Sequence, residues 1–471
     1  MEIRAALREQ LIGAGQEHLV GVLATATPED AASLGAQIAE IDFALIRELI
    51  DRFVGGAYMD AVGGSLSPCE AIPLPRTDEE YAARDRARSS GEDALRAGRV
   101  AAILLAGGQG TRLGFDGPKG NFPFGAITGR TLFAHHAAKI VALRSRYECA
   151  LPWIVLTSPV NDDATRTAFA EANWFGLDRD SIEFVVQGTL PAVDALTGEI
   201  LREASGEIAR SPDGHGGVLL ALARAGTFAR LRAHGITTLF TFQVDNPLTS
   251  IADPVFLGHH IAAGAEMSNL AVRKRTADEP VGVIATRDAA TVVVEYSDLP
   301  ADLAGARDDD GHLVLWAGNV ATHYIELSFA DALTANGFAL PYHRAVKVVP
   351  YLDDAGLQVT PIAPNAIKFE TFLFDALPMA RATITVEVAR EEQFSPIKNA
   401  EGPDSPATCR RDVNRLYASW LRAAGVEVAT TDDGEPVDLE IDPRCALDAN
   451  DVAARLAHLG PIHTPTLLAP S

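Results

Sequence analysis

The chain has 471 residues, of which 40 are basic and 63 are acidic, so its formal net charge is −23 at pH 7. This charge argues against nucleic acid or an anionic membrane as a partner. No apolar run reaches the length of a transmembrane helix. The four cysteines have no metal or redox spacing, which is typical of a cytoplasmic protein. Residues 1–11 predict an amphipathic helix rather than a signal peptide.

Three regions follow one another along the chain. Residues 1–97 predict a helical region, in which Thr77 and Glu80 form a capping box for a charged helix. Residues 98–385 alternate strand-like and helical runs, which predicts a mostly parallel sheet flanked by helices. Strands are expected at 153–156, 183–187 and 238–244, and helices at 162–174 and 218–234. Residues 386–471 are less regular and predict a small C-terminal domain.

A glycine-rich loop follows the first strand-like run of the middle region. Residues 100–106 are apolar and predict a buried strand. Glycines in the loop let backbone N–H groups approach a ligand, and Arg112 and Lys119 add two cations, so the loop suits a polyphosphate. The spacing matches neither the dinucleotide fingerprint nor the Walker loop, which excludes an NAD-dependent oxidoreductase of the usual type. The loop glycines are Gly107, Gly108, Gly110 and Gly114.

Asp245 ends a second apolar run. Ligands of open α/β sheets bind at the carboxyl ends of the strands. A carboxylate there suits Mg²⁺ bound to a triphosphate. The Asp-Asn-Pro sequence also suits a turn or a helix cap, so the pattern alone leaves both interpretations open.

These segments resemble the signature of the UDP-sugar pyrophosphorylases, and most closely that of the eukaryotic-type UDP-N-acetylhexosamine pyrophosphorylases. The likeness covers roughly residues 45–415, in order. It implies a Rossmann-like nucleotide-diphospho-sugar transferase fold for residues 98–385, with an N-terminal helical extension and a small C-terminal domain. Besides the glycine-rich loop, the matching segments are Pro212-Asp213-Gly214-His215-Gly216-Gly217, Val244-Asp245-Asn246, Glu279-Pro280-Val281-Gly282-Val283, Val294-Glu295-Tyr296-Ser297, Ala317-Gly318-Asn319, Ile367-Lys368-Phe369-Glu370 and Phe394-Ser395-Pro396-Ile397-Lys398-Asn399-Ala400.

The resemblance implies a nucleotide site. Gln187 matches a glutamine that reads the uracil edge, which an amide can do because it both donates and accepts hydrogen bonds. Gly216 and Gly217 match the pair against which the base and ribose press, and His215 stands where the family usually has asparagine. The loop residues that would bind the nucleotide are Ala106, Gly107, Gly108 and Gly110.

The resemblance also implies the catalytic groups. Arg112 and Lys119 would hold the leaving end of the triphosphate, and Lys368 and Lys398 would neutralise charge around the α-phosphate and the sugar phosphate. Asp245 would hold Mg²⁺, the expected cofactor. Only six of the 40 basic residues are lysine, and three of the six fall in these segments. A compact ammonium group acts as a point charge on phosphate, which fits this placement.

Three further residues would surround the sugar, because Gly282, Glu295 and Asn319 match family positions there. The implied substrates are UTP and a sugar-1-phosphate, which give UDP-N-acetylglucosamine or UDP-N-acetylgalactosamine and pyrophosphate. The nucleophile is already an anionic phosphate, so positioning and charge neutralisation suffice for catalysis. Two alternatives remain at this point: glucose-1-phosphate as the sugar substrate, or a nucleotide-sugar-binding protein without activity. The oligomeric state and the metal preference stay open.

Overall fold

The computed structural model describes residues 5–54, 65–353 and 355–470. The chain packs into two compact units, each assembled from three separate stretches. Unit 1 comprises residues 1–61, 187–220 and 339–375, and unit 2 comprises residues 62–186, 221–338 and 376–471. The division at residues 97 and 385 stays a prediction. The helix expected at residues 1–11 begins at Ala5, and residues 1–4 lie outside the described residues.

The helices and strands are numbered in chain order. Helices α1 to α15 span Ala5–Gly13, Glu17–Thr25, Pro28–Ala39, Phe43–Phe53, Asp78–Arg96, Leu132–Tyr147, Asp162–Glu171, Gly217–Arg224, Thr227–Ala233, Pro254–Ala263, Ala301–Gly305, Leu327–Ala335, Arg390–Gln393, Pro406–Ala423 and Ala449–Arg455. Strands β1 to β19 span Leu66–Pro68, Val100–Leu105, Trp153–Thr157, Ile182–Val186, Thr189–Pro191, Val193–Asp194, Arg210–Pro212, Thr238–Gln243, Met267–Arg273, Val283–Arg287, Ala290–Val294, Ala317–Glu326, Tyr342–Lys347, Tyr351–Leu352, Gln358–Val359, Ala366–Thr371, Thr383–Glu387, Leu439–Ile441 and Thr466–Leu468.

Unit 1 packs the four N-terminal helices against a small antiparallel sheet of order β13-β16-β6. The helices bury residues such as Leu19, Ile38 and Phe53, and strand β16 contributes Ile367 and Phe369 to the same core. Period-two alternation turns Lys368, between these two apolar residues, to the opposite face of the strand. The sheet therefore presents Lys368 away from the helical core.

Unit 2 is built on a large sheet of order β1-β10-β12-β8-β2-β3-β4, with β11 beside β10 and β9 between β12 and β17. Strands β8, β2, β3 and β4 are parallel, whereas β10, β11 and β12 pair in antiparallel fashion. The predicted α/β fold with a central sheet flanked by helices is confirmed. The carboxyl ends of β2 and β8 meet at one edge, because these two strands are parallel neighbours.

Two helix features test the local sequence signals. The capping box predicted at Thr77 and Glu80 is confirmed at the start of α5. The single helix predicted over 218–234 is wrong, because the chain forms α8 and α9 there. Gly226, with φ +70°, interrupts the helix in the left-handed region.

Helices α5 and α10 approach each other unusually closely. A Cβ atom on Gly91 would lie 1.9 Å from the carbonyl oxygen of Pro254, and one on Gly258 would lie 1.7 Å from that of Ala87. Neither position tolerates a side chain, so the two glycines fix the backbone separation of this helix pair.

Among the described residues, no helix has both the length and the hydropathy that spanning a membrane requires.

Candidate active site

The glycine-rich loop leaves β2 at the sheet edge and folds back on itself. The N–H of Gly110 donates to the carbonyl of Gly117 at 2.9 Å, and the N–H of Lys119 donates to the carbonyl of Gly108 at 3.1 Å. The N–H groups of Gly107 and Gly108 donate to no residue in the described part of the chain. These two donors are available to a phosphate, while that of Gly110 shapes the loop.

Asn161, which the sequence analysis did not single out, holds this loop in place. It is fully buried after β3, and its Nδ2 donates to the carbonyls of Ala106 at 2.9 Å and Gly108 at 3.2 Å. Its Oδ1 accepts from the N–H of Ser158 at 2.8 Å. A buried amide that satisfies two loop carbonyls fixes their direction. The N–H of Gly107 shares a trans peptide plane with the Ala106 carbonyl, so it points away from Asn161.

Lys119 and Asp245 meet at the carboxyl ends of the parallel strands. The Nζ of Lys119 lies 3.0 Å from Oδ2 of Asp245, and the two side chains are 17% and 16% exposed. The structure thus brings together the group predicted to bind the leaving phosphates and the group predicted to hold a metal. Both remain accessible to the same polyphosphate.

Three side chains of helix α6 form hydrogen bonds with the backbone of the loop that carries Asp245. The Nε2 of His136 bonds to the carbonyl of Val244 at 3.0 Å, and that of His135 bonds to Pro247 at 3.2 Å. The Nζ of Lys139 donates to the carbonyls of Pro247 at 2.6 Å and Thr249 at 2.8 Å. Three side chains of one helix therefore fix the carbonyls on both sides of Asp245.

Burial controls the charge of these gripping residues. It lowers the pKa of His136 to about 3 and that of His135 well below its usual range. Both imidazoles are therefore neutral near pH 7, and each Nε2 carries the hydrogen that it donates to a carbonyl. Burial likewise lowers the pKa of Lys139 to about 7.

The segment before Lys398 is tied to the same loop. The N–H of Ile397 donates to the carbonyl of Asp245 at 2.8 Å, and the Nδ2 of Asn246 donates to the carbonyl of Gln393 at 2.8 Å. Lys398 is therefore the residue next to a direct backbone contact with Asp245, although 153 positions separate Lys398 and Asp245 in the sequence. The structure confirms neither role, but it places both residues on one support.

The other two cations of unit 2 that the sequence predicts for the site, Lys398 and Arg112, are more exposed than Lys119. The side chain of Lys398 is 37% exposed, and its Nζ lies 3.9 Å from Oδ2 of Asp404. Arg112 is exposed on a single 3₁₀ turn, Thr111–Leu113. Both side chains can move toward a ligand at low cost.

The three residues predicted to surround the sugar lie together. The N–H of Asn319 donates to the carbonyl of Gly282 at 2.8 Å. A Cβ atom on Gly282 would lie 3.1 Å from Oε1 of Glu295. Strand β12 bulges after Asn319, where Ala321 has φ +53° and donates to the Asn319 Oδ1 at 3.0 Å. Such bulges redirect side chains next to binding sites.

The residues of unit 1 form a second group around one tight turn. Gly214 has φ +84°, and a Cβ atom there would lie 2.3 Å from the carbonyl oxygen of Thr371. Gly216 donates its N–H to the same carbonyl at 2.9 Å, so this turn lies at the end of the strand that carries Lys368. The N–H of Asp213 donates to the carbonyl of Gly188 at 3.1 Å.

Gln187 and Gly217 complete this group. Gln187 is buried beside Gly188, and Gly217 starts helix α8 directly after the turn. A Cβ atom on Gly217 would lie 2.1 Å from Oδ1 of Asp213. The structure therefore joins the unit 1 candidates through the backbone of a single turn.

His215, at the position of the usual asparagine, is held by protein contacts. Its Nδ1 accepts from the N–H of Leu373 at 3.2 Å, and its ring packs against Phe372 and Phe374. Burial lowers its pKa to about 4, so the ring is neutral near pH 7. With Nδ1 as the acceptor, Nε2 carries the hydrogen.

A divalent cation would find one carboxylate at this site. In the described ranges, no three His, Cys, Asp or Glu side chains cluster as a protein-only metal centre would require. Asp245 fits the binding mode of Mg²⁺, which often uses one or two carboxylates together with substrate phosphates and water.

The chain belongs to the UTP–glucose-1-phosphate uridylyltransferase family, whose model matches residues 70–402. Its relatives carry more specific names. It is 35% identical over 449 residues to UDP-N-acetylhexosamine pyrophosphorylase-like protein 1 of Mus musculus, with 90% of this chain and 87% of that protein covered. It is 38% identical over 377 residues to the UDP-N-acetylglucosamine pyrophosphorylase of Saccharomyces cerevisiae, with 76% and 78% covered.

Solved structures agree with this assignment. The uridine diphosphate N-acetylglucosamine pyrophosphorylase of Trypanosoma brucei matches with a TM-score of 0.78 at 27% identity, covering 97% of this chain and 95% of that chain. A structure described as a putative UDP-N-acetylglucosamine pyrophosphorylase from Entamoeba histolytica gives a TM-score of 0.76 at 28% identity, covering 86% and 100%. The predicted family is confirmed.

Proposed function

We propose that the chain is a uridylyltransferase that forms UDP-N-acetylglucosamine, or UDP-N-acetylgalactosamine, and pyrophosphate from UTP and the sugar-1-phosphate. The observation that carries this proposal is the contact of Lys119 with Asp245 at the carboxyl ends of β2 and β8, beside a loop with two available N–H donors. The residue that would bind the polyphosphate, Lys119, and the residue that would bind the metal, Asp245, are thus in direct contact. The names of the relatives support the choice of reaction and sugar.

In the reaction, an oxygen of the sugar phosphate forms a bond to the α-phosphorus of UTP. The bond from that phosphorus to the bridging oxygen breaks, and pyrophosphate leaves with the electron pair. Lys119 and Arg112 would hold the leaving phosphates, and Lys398 and Lys368 would offset charge near the α-phosphate. No proton transfer is needed at the attacking oxygen, because the phosphate is already ionised. Positioning and charge neutralisation then carry the catalysis.

Asp245 is the residue that would hold Mg²⁺. When bound, the cation neutralises phosphate charge and aligns the phosphate oxygens. The α6 grip on the flanking carbonyls would keep the carboxylate fixed while the ligand binds, and Lys119 would exchange Asp245 for a phosphate oxygen. Preorganised charges of this kind need little reorganisation during the reaction.

Base and sugar selectivity would come from different residues. The amide of Gln187 and the backbone at Gly216 and Gly217 would read uracil, which a purine would not fit. Gly282 would leave room beside the sugar for an N-acetyl group, while Glu295 and Asn319 bond the ring hydroxyls. Since the described cysteines are all free thiols, we also propose a cytoplasmic location.

The test is pyrophosphate release from each of UTP, ATP and GTP with a panel of sugar-1-phosphates. We expect UTP with N-acetylglucosamine-1-phosphate to give the highest kcat/KM. Comparable rates with ATP would overturn the uridylyl assignment. A preference for glucose-1-phosphate would place the chain with the UDP-glucose enzymes. Binding of UTP without turnover on any sugar would favour the non-catalytic alternative.

A further inference from the structure

A cavity of about 450 Å³ lies inside unit 2, between helices α5, α6, α10 and α14 and strand β17. Its volume falls in the range of small-molecule sites, which is about 300–1,000 Å³. None of the residues assigned above to nucleotide, sugar or metal lines it. The cavity is therefore a separate site within the unit.

One wall of the cavity is the back of the Asp245 loop. Pro247, Leu248 and Asp253 line the cavity from this loop, and Lys139 lines it with the side chain that grips the loop carbonyls. A ligand in the cavity would touch the support of Asp245 directly.

A second wall belongs to the segment that leads to Lys398. Gln393 lines the cavity, and its Oε1 accepts from the N–H of Ser250 at 3.0 Å while its Nε2 donates to Asp253 at 3.4 Å. Four residues later, Ile397 donates to the carbonyl of Asp245. The loop of Asp245 and the segment of Lys398 thus share their supports with the cavity wall.

The opposite wall is closely packed. It is formed by α5 and α10, whose backbone separation is fixed by Gly91 and Gly258. A ligand that needs more room will therefore displace the loop and the segment rather than this helix pair.

The acids of the wall are mostly held by contacts with the protein, whereas two of its arginines are not. Four of its acids are engaged: Glu80 closes the capping box, Asp253 caps α10, Glu387 pairs with Arg273, and Asp448 pairs with Arg146. Only Glu392 remains, and it interacts electrostatically with Arg84.

The cations of the wall are less engaged. Arg84 and Arg88 lie one turn apart on α5 and form no ion pair with any described residue. The bonds that Lys139 makes within the described part of the chain are to two carbonyls. Its pKa is lowered by burial, and a bound anion would reverse that effect. Among the described residues of the wall, Arg84 and Arg88 are therefore the two permanently charged cations that have no acidic partner in hydrogen-bond contact.

The rest of the lining is apolar and aromatic. Burial of an apolar ligand body against this lining would be favourable, and one anionic group on the ligand could pair with Arg84 or Arg88. The apolar lining includes Leu143, Tyr147, Leu248, Ile251, Phe256 and Trp420.

We propose that this cavity is a regulatory site for a small amphipathic anion, whose binding shifts the loop of Asp245 and the segment of Lys398. The regulatory effect rests on the proposed function, whereas the binding does not. The predicted consequence is a change in the response of the enzyme to Mg²⁺, because Asp245 is the group displaced.

The binding test uses 8-anilinonaphthalene-1-sulfonate, which joins an aromatic body to one sulfonate. We expect saturable binding of one probe per chain that saturating UTP does not displace, with energy transfer from Trp420 in the wall. Ala83→Phe, at a half-buried position of the lining, should abolish binding by filling the cavity. Arg88→Gln should weaken binding about tenfold by removing one charge-assisted contact. Arg86→Gln, on the exposed face of the same helix, is the matched control and should bind as the wild type does.

The regulatory test measures pyrophosphate release against Mg²⁺ concentration with and without the probe. We expect the probe to change the Mg²⁺ concentration for half-maximal rate at least threefold in the wild type and in Arg86→Gln, and to have no effect in Ala83→Phe. Displacement of the probe by UTP, or unchanged binding in both Ala83→Phe and Arg88→Gln, would overturn the site. Binding without any change in rate would overturn its regulatory role. Lack of activity with every substrate would reject the proposed function while the binding titration still decides the site.

Discussion

Replacement of Asp245 by asparagine separates the metal role of this residue from a purely structural one. The change keeps the shape of the side chain and removes its charge. In the folded protein the carboxylate is 16% exposed and lies 3.0 Å from the ammonium of Lys119. A hydrogen bond between charged groups contributes roughly 1.5–3 kcal/mol of folding free energy, and the asparagine oxygen can still accept from Lys119 and so retains part of it. The residual exposure places the expected loss near the lower end of that range.

The catalytic effect should be larger than the effect on stability. A preorganised charge contact contributes roughly 10²–10³-fold to kcat. We expect Asp245→Asn to lose about that factor at ordinary Mg²⁺ and to regain part of it at high Mg²⁺. The assay is pyrophosphate release over a wide range of Mg²⁺ concentration, with urea unfolding to measure stability. Asp116→Asn, on the exposed part of the same glycine-rich loop, is the control and should behave as the wild type does.

Three outcomes distinguish a metal role of Asp245 from a structural role. Full activity of Asp245→Asn at ordinary Mg²⁺ would refute the metal role. Loss of rate without any Mg²⁺ response would assign the effect to loop geometry. A partial Mg²⁺ rescue with a stability loss of a few kcal/mol or less would support the proposed role.

Three further substitutions or conditions test other parts of the site. Lys119→Ala should lower kcat by roughly 10²-fold or more, because one charge on the leaving phosphates is lost; near-normal turnover of a folded variant would reject that role. Gly282→Leu should displace the carboxylate of Glu295, whose Oε1 would lie 3.1 Å from the new Cβ, and kcat/KM should fall more for N-acetylglucosamine-1-phosphate than for glucose-1-phosphate. Acid should destabilise the fold through His136, because its pKa is about 3 in the folded protein and near 6.5 in the unfolded chain. The free energy of unfolding that this shift contributes is fully present well above pH 6.5 and decreases as the pH falls. At roughly pH 5.5 the decrease is about 1.4 kcal/mol relative to high pH. Urea unfolding at a pH well above 6.5 and at roughly pH 5.5 checks this, and a loss of the same size in His136→Gln would assign it to other groups.

The sequence predicts those parts of the site whose residues are consecutive. The glycine-rich loop, Lys119 and the position of Asp245 after an apolar strand follow from local pattern, and the parallel sheet then brings them together. Asn161 and the pair His135 and His136 escape such reasoning, because their partners are backbone carbonyls about 55 to 112 positions away. A carbonyl carries no residue type that a pattern could detect. The available signal is a pair of adjacent histidines in the apolar first half of helix α6.

The sequence does not show which separate stretches of the chain pack together into one compact unit. The N-terminal helices pack on strand β16, more than 300 positions later, because both present apolar faces to the same core. Periodicity shows that these faces exist and does not show which of them pair. The break at Gly226 is a smaller example, since the flanking residues keep a helical pattern and only the backbone of the glycine departs from it.

The bulge in strand β12 has a consequence for how substrate range can change. It lies in the antiparallel part of the sheet, where Gly282 and Glu295 flank the neighbouring hairpin, whereas Lys119 and Asp245 lie in the loops that follow the parallel strands β2 and β8. On the proposed assignment of these residues, variation in the hairpin would alter which sugar is accepted and leave the phosphate chemistry untouched. Insertions and substitutions that tune specificity are expected to accumulate between residues 282 and 319, and libraries for a new sugar should be confined to that stretch.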